Sequence, residues 1–518
     1  MKLSEKEMIE EIAEAAAAKG GRAYFVGGCV RDALLGEKSK DTDIEVHGVE
    51  PATMESILEE IYEKNGRRGK AAYYKSGVSF GVYGIPGYEL DIALPRKESA
   101  TGRGHRDFEI FVDPHIGPEK AAARRDFTIN AMMQDVLSGE ILDFFGGRED
   151  LERGILRHAC DASFAEDPLR VLRGAQFAAR FEFEIAPETF EICKKIDLTT
   201  LSRERVFEEF SKALLKARRP SVFFETLRAM EQLDYWFPEV KDLIGVEQSP
   251  IFHPEGDVWT HTMMVLDAAA DVIHSSWMPA TENPEIPKDI AAFEKYDSKA
   301  RDEYFMLSAL CHDLGKPATT ALVGDRIRAL GHEEKGEEVA RTFLHRLTDE
   351  NELIRYVTNM VLLHMRPNML CGQNSGVKAT NRLFDRSIDP AGLIMLARCD
   401  RRREPEDIEK IIAYAKEKEA SGNIDSEHGE YKETRPEAET PQQREQRFED
   451  FLWLRLLRYR KVADLPEVTG EDLIAAGLHP GPEFRRLLDY AHQLHLAGVD
   501  KEAALKQTLS EAKKPLAF

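Results

Sequence analysis

The sequence predicts an α+β protein, with an α/β unit in the first 150 residues and a mainly α-helical remainder. Short apolar stretches alternate with helical patterns up to residue 150, as in VSFGVYGI (78–85) and YELDIAL (88–94). After Asp150 such stretches become scarce, and apolar residues recur at helical spacing. Five segments show this spacing: 166–181, 203–217, 220–233, 260–274 and 303–312. A chain of 518 residues is too long for one core, so about two to four domains are expected.

Shifts in composition divide the chain into several regions. The α/β unit at 1–150 is followed by a mainly helical part at 151–405, a polar linker at 406–445 and a helical tail at 446–518, and the resemblance described below divides the helical part into regions at 151–240 and 241–405, five regions in all. Within the linker, residues 419–445 are low in apolar side chains, which is typical of a mobile segment. A second polar stretch at 279–300 is predicted to be a surface insertion.

The overall composition is that of a soluble globular protein, with 42% hydrophobic and 32% charged residues. No stretch approaches the ~18 apolar residues of a membrane span. The acidic, amphipathic start of the chain lacks the apolar core of a signal peptide. Six cysteines, at 29, 160, 193, 311, 371 and 399, show no CxxC spacing and are expected to be reduced thiols. These features predict a cytoplasmic protein without a membrane partner and leave its oligomeric state open.

Charge is unevenly distributed along the chain. The net charge of −22 argues against nonspecific binding to nucleic acid. Acidic residues concentrate at 404–450, whereas basic residues cluster at Arg124-Arg125, around 170–180 and at 216–219. Because local basic patches can hold a phosphate backbone on an acidic molecule, composition alone leaves a nucleic-acid partner open.

The most informative segment is VGGCVRDALLGEKSKDTDIEV (26–46). A predicted buried strand leads into Gly27 and Gly28 and then into a predicted helix, an arrangement that lets the backbone approach an anion and predicts a phosphate cradle. Asp41 and Asp43 are two apart on the next predicted strand, so both carboxylates project from one face. Together with a nucleotide they suit Mg²⁺. The alternative is a tight turn with solvated aspartates.

A third carboxylate, Asp91, lies on the apolar strand predicted at 88–94. It would complete a two-metal site or orient an attacking hydroxyl. The alternative is a strand-end aspartate that faces solvent. The glycine-rich and charged segment 96–107 that follows is typical of a mobile loop beside a site.

The segment RRDFTIN (124–130) places a basic pair before an aspartate. Arg125 could clamp a triphosphate, and Asp126 could accept a hydrogen bond from a ribose hydroxyl. Helix capping by Asp126, combined with ordinary surface charge, is the alternative.

The segment EDPLRVLR (166–173) begins a predicted helix with a proline in its first turn. Helical geometry brings Asp167, Arg170 and Arg173 onto one face. An acid beside a guanidinium offers both acceptors and donors to a nucleobase edge, so this face could select a base without a nucleic-acid template. The alternative is a surface salt bridge.

An independent group of histidines and aspartates is spread through the helical sequence from residue 261 to residue 400. Its members are His261, His312, Asp313, His332, His364 and Asp400. The adjacent His312 and Asp313, followed by Leu-Gly-Lys, direct an imidazole and a carboxylate toward one point. Mixed nitrogen and oxygen ligands suit a divalent transition metal that activates water for phosphoester hydrolysis. The alternative is that each histidine is satisfied within its own helix.

Taken together, these motifs resemble the bacterial class II tRNA nucleotidyltransferases, the CCA-adding enzymes, in the long form that carries an HD phosphohydrolase domain. The motifs follow the family's order: GGCVRD with DTD (27–43), RRDFTINAM (124–132), DFFGGREDL (143–151), EDPLRVLRGAQFAARF (166–181), RERVFEEFSKAL (203–214) and then CHDLGKP. The resemblance implies a polymerase-β-like head at 1–150, a helical neck with a nucleotide-selecting motif at 151–240 and an HD domain at 241–405.

The resemblance also implies a role for each matching residue. Asp41 and Asp43 would hold the catalytic Mg²⁺ ions. Residues at the nucleotide would be Gly27, Gly28, Arg31, Arg125, Asp126, Asn130, Asp167, Arg170 and Arg173. Among these, Asp167 and Arg170 would pair with CTP and then ATP. Metal ligands of the HD domain would be His261, His312, Asp313 and Asp400, with His332 and His364 nearby.

The implied reaction is template-independent addition of CCA to tRNA from CTP and ATP by two-metal nucleotidyl transfer, with hydrolysis of 2′,3′-cyclic phosphates and phosphomonoesters at the HD domain. A poly(A) polymerase, or an enzyme that adds only CC or only A, is the alternative within the superfamily. An alternative of another class is an HD nucleotide phosphohydrolase whose head only binds RNA. The presence of both Asp41 and Asp43 favours transfer, and the 279–300 insertion makes the HD match less compact.

Overall fold

The computed structural model describes residues 4–38, 42–65, 72–75, 81–100, 108–250, 252–293, 295–324, 326–402 and 441–513. The chain divides into two compact units. The first comprises Met1–Ala217 and Val222–Tyr235, and the second comprises Arg218–Ser221 and Trp236–Phe518. The predicted boundary at residue 240 lies close to the end of the first unit.

A seven-stranded mixed sheet forms the centre of the α/β region, in the order β3-β4-β5-β2-β1-β8-β9. Its strands are β1 (Arg22–Val26), β2 (Thr42–His47), β3 (Tyr74–Lys75), β4 (Val82–Gly84), β5 (Leu90–Ala93), β8 (Met133–Asp135) and β9 (Ile141–Leu142). The strands β6 (Arg96–Ala100) and β7 (Phe108–Val112) form a separate antiparallel hairpin. Within the seven-stranded sheet only β2 and β5 pair in parallel.

Helices pack against this sheet and bury its apolar side chains. They span Glu5–Ala18, Gly28–Leu34, Pro51–Lys64 and Pro118–Ala123, with a 3-10 helix at Thr128–Asn130. The first helix begins with a capping box, in which Ser4 and Glu7 satisfy each other's backbone N–H groups. Its Ile12 packs with Ile57 of the third helix and with Ile44 of β2 in one buried cluster. The core therefore fixes the strands that carry the candidate carboxylates.

The neck is helical, as its periodicity predicts. Its helices span Gly147–Arg153, Asp161–Phe164, Leu169–Phe181, Pro187–Cys193, Arg203–Lys216 and Ser221–Ala229, with a 3-10 helix at Leu198–Thr200 and a short parallel pair, β10 (Ile155–Leu156) and β11 (Glu184–Ile185). The buried Phe127 ring lies edge-on to Phe164 and Phe177, at centroid distances of 5.6 and 5.7 Å. These contacts join the head to the neck within the first unit.

The second unit is built almost entirely of helices. They span Pro238–Lys241, Val258–His274, Ser298–Cys311, Lys316–Thr319, His332–Leu347, Asn351–Leu363, Met365–Gly372, Val377–Arg386 and Pro390–Asp400. An antiparallel hairpin of β12 (Thr320–Val323) and β13 (Arg326–Ala329) interrupts them. None of the six cysteines, all of which lie within the described residues, forms a disulfide bond. Among the residues that the structure describes, no helix combines the length and apolarity needed to cross a membrane.

The insertion at 279–300 is not wholly at the surface, so that prediction is wrong for its central part. Ile286, Ile290 and Ala291 are buried, with exposed fractions of 6%, 2% and 1%. The carbonyl of Ala291 accepts a hydrogen bond from Nη1 of the buried Arg301 at 2.7 Å. A few apolar side chains are enough to anchor an otherwise polar segment.

The tail forms helices at Pro441–Ala463, Gly470–Ala475, Pro482–Leu496 and Lys501–Glu511. Most of the linker predicted at 406–445 lies outside the described residues. The first tail helix begins at Pro441, so the predicted boundary at residue 446 falls inside a helix. Leu473, Leu487 and Ala504 form the centre of a small separate core, which ties the last three helices together.

One histidine of the tail contacts helix Val377–Arg386. Nε2 of His492 lies 2.9 Å from a carboxylate oxygen of Asp385, and its Nδ1 lies 3.0 Å from Glu467. Partial burial opposes protonation of this imidazole, but the hydrogen bonds to the two carboxylates raise its pKa above the usual value. The protonated form is therefore favoured while the tail is docked.

We expect replacement of His492 by glutamine to destabilise the protein more at pH 6 than at pH 8.5. A raised pKa in the folded state contributes stability that is complete below the unfolded value of about 6.5 and is lost as pH rises through the folded-state pKa. The measurement is Tm against pH for the wild type and the variant, with exposed His479→Gln as the control. A Tm difference that stays constant across this range would contradict the assignment.

Candidate functional sites

Two carboxylates lie side by side near the starts of two neighbouring parallel strands in the head. Asp43 of β2 pairs in register with Asp91 of β5, and both side chains are exposed. The next residues on the strands, Ile44 and Ile92, are fully buried. Because paired residues of parallel strands point to the same face, the two carboxylates stand side by side while the isoleucines enter the core. Asp41, the other member of the predicted pair, lies outside the described residues.

The glycine turn stands close to this pair. Gly27 has a φ of +72°, a conformation that favours glycine, and helix Gly28–Leu34 follows it. A Cβ at Gly27 would lie 3.0 Å from Nη1 of Arg125. The Cys29 thiol donates to the carbonyls of Val26 and Asp43, at 3.1 and 3.5 Å. The thiol thus ties the glycine turn to the strand that carries Asp43.

Arg31 is buried and its guanidinium makes internal contacts. Its Nε and Nη2 donate to Oδ1 of Asp32 at 2.8 and 2.6 Å, and its Nη1 donates to Oδ1 of Asn130 at 2.6 Å. The guanidinium also lies 4.7 Å from the centroid of the Phe181 ring. In this structure Arg31 holds Asn130 in place, and its predicted contact with a triphosphate remains a prediction.

Asp126 does not cap a helix with its side chain but joins the head to the neck. Its Oδ2 accepts hydrogen bonds from Nε and Nη2 of Arg173 at 2.8 and 2.6 Å. Its Oδ1 accepts from Nδ2 of Asn130 at 3.0 Å. On its other side, Arg173 lies 3.4 Å from the buried carboxylate of Glu209. A chain of charged groups thus runs from the head loop to two neck helices.

Electrostatics keep Asp126 ionised. Burial by itself would raise its pKa, but the Arg173 charge and the hydrogen bonds from Asn130 and Arg173 lower the pKa to about 2. Asp126 is consequently a fixed acceptor at neutral pH, as the predicted ribose contact requires.

Buried Glu45 opposes the predicted basic pair. Its Oε2 lies 2.9 Å from Nη2 of Arg124 and 3.5 Å from Nη2 of Arg125, and its Oε1 lies 2.9 Å from Nε2 of His47. Burial alone would raise the pKa of Glu45, but His47 and the two arginines lower it overall. The negative charge of Glu45 therefore partly balances the positive charges of Arg124 and Arg125.

The three predicted nucleotide-selecting residues each have a different partner. Asp167 precedes helix Leu169–Phe181 and accepts a hydrogen bond from Nη2 of Arg205 at 2.8 Å. Arg170 donates to the main-chain carbonyls of Ser163, at 2.7 Å, and of Arg124. Arg173 pairs with Asp126, as described above. The side chains of Asp167 and Arg170 thus stand near the head–neck junction, and each contacts other residues of the first unit.

All six predicted residues of the second unit converge on one buried centre. Nε2 of His312 lies 3.4 Å from Nε2 of His261 and 3.1 Å from Oδ2 of Asp313. Nε2 of His332 lies 3.3 Å from Nε2 of His364. The members are His261, His312, Asp313, His332, His364 and Asp400. The spread of these residues along the sequence therefore gives no measure of their separation in space.

The six predicted residues fall into two groups of donor atoms. One group is formed by His261, His312 and Asp400, and the other by Asp313, His332 and His364, with the ligand atoms of each group within 4.8 Å of one another. A third group of this kind, formed by His253, Glu255 and His261, adjoins the first. Oδ2 of Asp313 also lies 3.7 Å from Nε2 of His261. Two donors bound to one metal ion at about 2.0–2.2 Å stand roughly 3 to 3.5 Å apart, and most of the short distances here are of that size.

The hydrogen bonds of three imidazoles show that this centre fits a cation. His312, His332 and His364 each place Nδ1 on the main-chain carbonyl three residues earlier, at 2.8, 2.8 and 2.7 Å. A carbonyl accepts only from N–H, so Nε2 of each neutral ring carries a lone pair. Nε2 of His332 and Nε2 of His364 then face each other at 3.3 Å, an arrangement that either a shared proton or a metal cation between them stabilises.

The charge states within the centre agree with metal ligation. Burial, followed by the His312 charge, lowers the pKa of His364 to about 3, which keeps its imidazole neutral. Burial alone would raise the pKa of Asp313, but His312 and Lys316 bring it well below its usual value. A neutral His364 and an ionised Asp313 are the forms in which these two groups bind a divalent ion.

Sequence reasoning missed the side chains that support both sites. In the second unit, Lys316 lies 2.7 Å from Oδ2 of Asp313, and Asn368 donates to Oδ2 of Asp400 at 3.1 Å. Lys316 stands one helical turn after Asp313 in the CHDLGKP motif, which was the available signal. In the first unit, Glu45 and Glu209 were missed because each looks like an ordinary strand or helix carboxylate in the sequence.

Comparison with known families agrees with this architecture. The sequence model described as the poly A polymerase head domain matches residues 23–157. The model described as a probable RNA and SrmB-binding site of polymerase A matches residues 182–244. These matches cover the sheet with its carboxylate pair and most of the neck.

Several characterised relatives are similar over most of the chain. A multifunctional CCA protein of Cupriavidus metallidurans is 34% identical over 414 residues, which cover 78% of this chain and 85% of that protein. A protein of the same name from Acinetobacter baumannii is 32% identical over 477 residues, which cover 90% and 98%.

The fold is also similar to solved structures. The Bacillus stearothermophilus CCA-adding enzyme in complex with CTP has a TM-score of 0.58 at 20% identity, over 99% of this chain and 98% of that one. The Thermotoga maritima CCA-adding enzyme complexed with tRNA has a TM-score of 0.56 at 19% identity, over 99% and 97%. At this level of identity the likeness concerns the fold alone.

Proposed function

The chain belongs to the family of bacterial CCA-adding enzymes, the tRNA nucleotidyltransferases, and from this premise we propose that it builds the 3′-terminal CCA of tRNA from CTP and ATP. The observation that carries the proposal is the register of β2 and β5, which sets Asp43 beside Asp91 at an exposed edge next to the glycine turn. Carboxylates beside a backbone that admits phosphate suit nucleotidyl transfer.

The reaction joins the tRNA 3′-hydroxyl to the α-phosphate of the nucleotide and releases pyrophosphate. Asp41, Asp43 and Asp91 would hold Mg²⁺, which when bound neutralises charge on the phosphates and activates the hydroxyl. Gly27 and Gly28 let the backbone approach the triphosphate. Asp126, ionised and held by Arg173, is placed to accept from a ribose hydroxyl.

Selection of the base falls to the head–neck junction in this proposal. Asp167 supplies carboxylate acceptors and Arg170 supplies guanidinium donors, which suit the Watson–Crick edges of cytosine and adenine. Both side chains are held by contacts with other parts of the first unit, Asp167 by Arg205 and Arg170 by the carbonyl of Ser163. Groups positioned in this way can discriminate between bases without a nucleic-acid template.

We also propose that the second unit hydrolyses phosphoesters, with 2′,3′-cyclic phosphates and phosphomonoesters as substrates. The facing Nε2 atoms of His332 and His364 support a divalent transition metal there, and the two donor groups around Asp313 offer places for two such ions. When bound, the metal polarises the phosphate and lowers the pKa of a coordinated water. Lys316, beside Asp313, adds a positive charge at the same centre.

Nucleotide addition to three tRNA substrates tests the main proposal. The substrates end before the first C, after one C and after CC, and each is incubated with CTP, ATP or both. We expect all three to be extended to CCA and no further, as read from product length on a gel.

The other outcomes identify the alternatives. Extension of only the CC-ending tRNA by a single A indicates an A-only enzyme, and arrest at CC indicates a CC-only enzyme. Long A tails on any RNA indicate a poly(A) polymerase. Absence of addition together with phosphate release indicates an HD phosphohydrolase with an RNA-binding head.

A further inference from the structure

Four histidines belong to the buried centre of the second unit, and one of them differs from the others in the group that its Nδ1 contacts. His312 and His364 directly follow helices Ser298–Cys311 and Asn351–Leu363, and their Nδ1 atoms reach carbonyls in the last turn of those helices. The carbonyls of a last turn lack intrahelical partners, so they are available as acceptors. His332 uses the carbonyl of Ala329 at the end of β13 in the same way.

His261 has no such carbonyl because it lies within a helix. The residue three positions earlier is Val258, the first residue of helix Val258–His274, and its carbonyl pairs with the helix backbone four residues on. Nδ1 of His261 instead lies 2.7 Å from Oε1 of Glu255. A side chain from the turn before the helix thus replaces the main-chain carbonyl that orients the other three rings.

We propose that Glu255 is the positioning residue of the metal centre, acting through His261. This inference rests on the proposed phosphohydrolase site. With Nδ1–H of His261 donated to Glu255, Nε2 is the nitrogen directed at the centre, 3.0 Å from Oδ1 of Asp400 and 3.4 Å from Nε2 of His312. In the neutral ring that nitrogen offers its lone pair to a metal ion. A charged acceptor on the far nitrogen also makes the imidazole a stronger ligand.

The burial of Glu255 supports this role. Its side chain is only 1% exposed, and a carboxylate is costly to bury unless it is paired. Its Oε1 is also 3.0 Å from Nδ1 of His253, whose ring stands edge-on to that of His261 with centroids 4.5 Å apart. One carboxylate therefore contacts two adjacent imidazoles, and Nε2 of His261 is the nitrogen that lies against Asp400 and His312. The donor atoms of His253, Glu255 and His261 also lie within 4.8 Å of one another, so the number of ions bound distinguishes an orienting Glu255 from a ligand.

The first experiment is a titration of the metal-free, full-length protein with Co²⁺, followed by visible absorption. We expect Glu255→Gln to bind Co²⁺ about 10- to 100-fold more weakly than the wild type, with an unchanged number of ions bound. Glu255→Ala is expected to be at least as weak. The matched control is Glu247→Gln, an exposed carboxylate in the same segment, which is expected to bind as the wild type does. The Tm of each metal-free variant, compared with that of the wild type, serves as the folding control.

The second readout needs no metal. In metal-free protein labelled with ¹⁵N at histidine, we expect Nδ1–H of His261 to give the downfield proton signal of a hydrogen bond to a carboxylate in the wild type and to lose that signal in Glu255→Ala. Unchanged Co²⁺ affinity together with an unchanged Nδ1–H signal overturns the proposal. Loss of a whole equivalent of Co²⁺ in Glu255→Gln also overturns it, because Glu255 would then be a ligand.

The two readouts separate this inference from the proposed hydrolase. If the wild type binds no Co²⁺, the metal site itself is refuted, and the Nδ1–H signal of His261 still decides whether Glu255 positions that ring. If the wild type binds Co²⁺ but Glu255→Gln and Glu255→Ala behave like it, the site stands and only the role of Glu255 fails.

Discussion

Replacement of Asp43 by alanine is expected to lower the rate of nucleotide addition to tRNA by about 10³-fold or more. A bound metal ion contributes several kcal/mol of charge stabilisation in phosphoryl transfer, and about 1.4 kcal/mol corresponds to a tenfold change in rate. Asp91 pairs with Asp43 in register, so the variant loses one of two adjacent carboxylates. The measurement is single-turnover incorporation of labelled CTP into tRNA that lacks its CCA end.

The loss is expected to be chemical rather than structural. Asp43 is an exposed strand residue, and substitutions at such positions usually change stability by about 0.5 kcal/mol or less. Glu59→Gln, which removes an exposed carboxylate from the same unit, is the control and is expected to keep the wild-type rate. An Asp43→Ala variant with full activity would falsify the assignment of this edge as the transfer site.

Replacement of His312 by alanine is expected to abolish metal-dependent phosphate release, lowering it by about 10³-fold or more, while nucleotide addition is retained. Nε2 of His312 is close to donors from both His261 and Asp313, so its removal opens the centre between them. The loss of a ligand removes much of the metal's contribution of several kcal/mol. The measurement is release of phosphate from a 2′,3′-cyclic nucleotide and from a phosphomonoester, in the presence of added Ni²⁺ or Mn²⁺.

A matched histidine on the surface separates the centre from general effects of the substitution. His345 is exposed on helix His332–Leu347 of the same unit, and His345→Ala is expected to release phosphate at the wild-type rate. Phosphate release that persists in His312→Ala would show that the hydrolytic site lies elsewhere. A simultaneous loss of nucleotide addition would instead show that the substitution disturbs the whole chain.

Much of the fold was accessible from periodicity and turn residues. The apolar run before Gly27 becomes β1, and the segment at 166–181 becomes helix Leu169–Phe181. These local patterns reflect which face of each element is buried. The insertion at 279–300 was misjudged because burial of Ile286 and Ile290 depends on contacts with other helices, which a polar local composition conceals.

The residue types at the candidate sites could be predicted, but their partners could not. Arg31 and Arg125 were predicted to contact a triphosphate, but the positions of Asn130 and Glu45 against them depend on contacts between distant parts of the chain. The same limit applies to the division of the histidine centre into two donor groups around Asp313. Sequence spacing names the chemistry, whereas tertiary packing decides which atoms meet.

The first unit ends at Tyr235, and this has a consequence for how the chain folds during synthesis. When the ribosome has added that residue, it must still add residues 236–518, which takes roughly 15 to 60 s at about 5–20 residues per second. Small domains fold much faster than this. The nucleotide-transfer unit can therefore acquire its sheet on the nascent chain before the histidine centre exists, and errors in the later half need not compromise the earlier one.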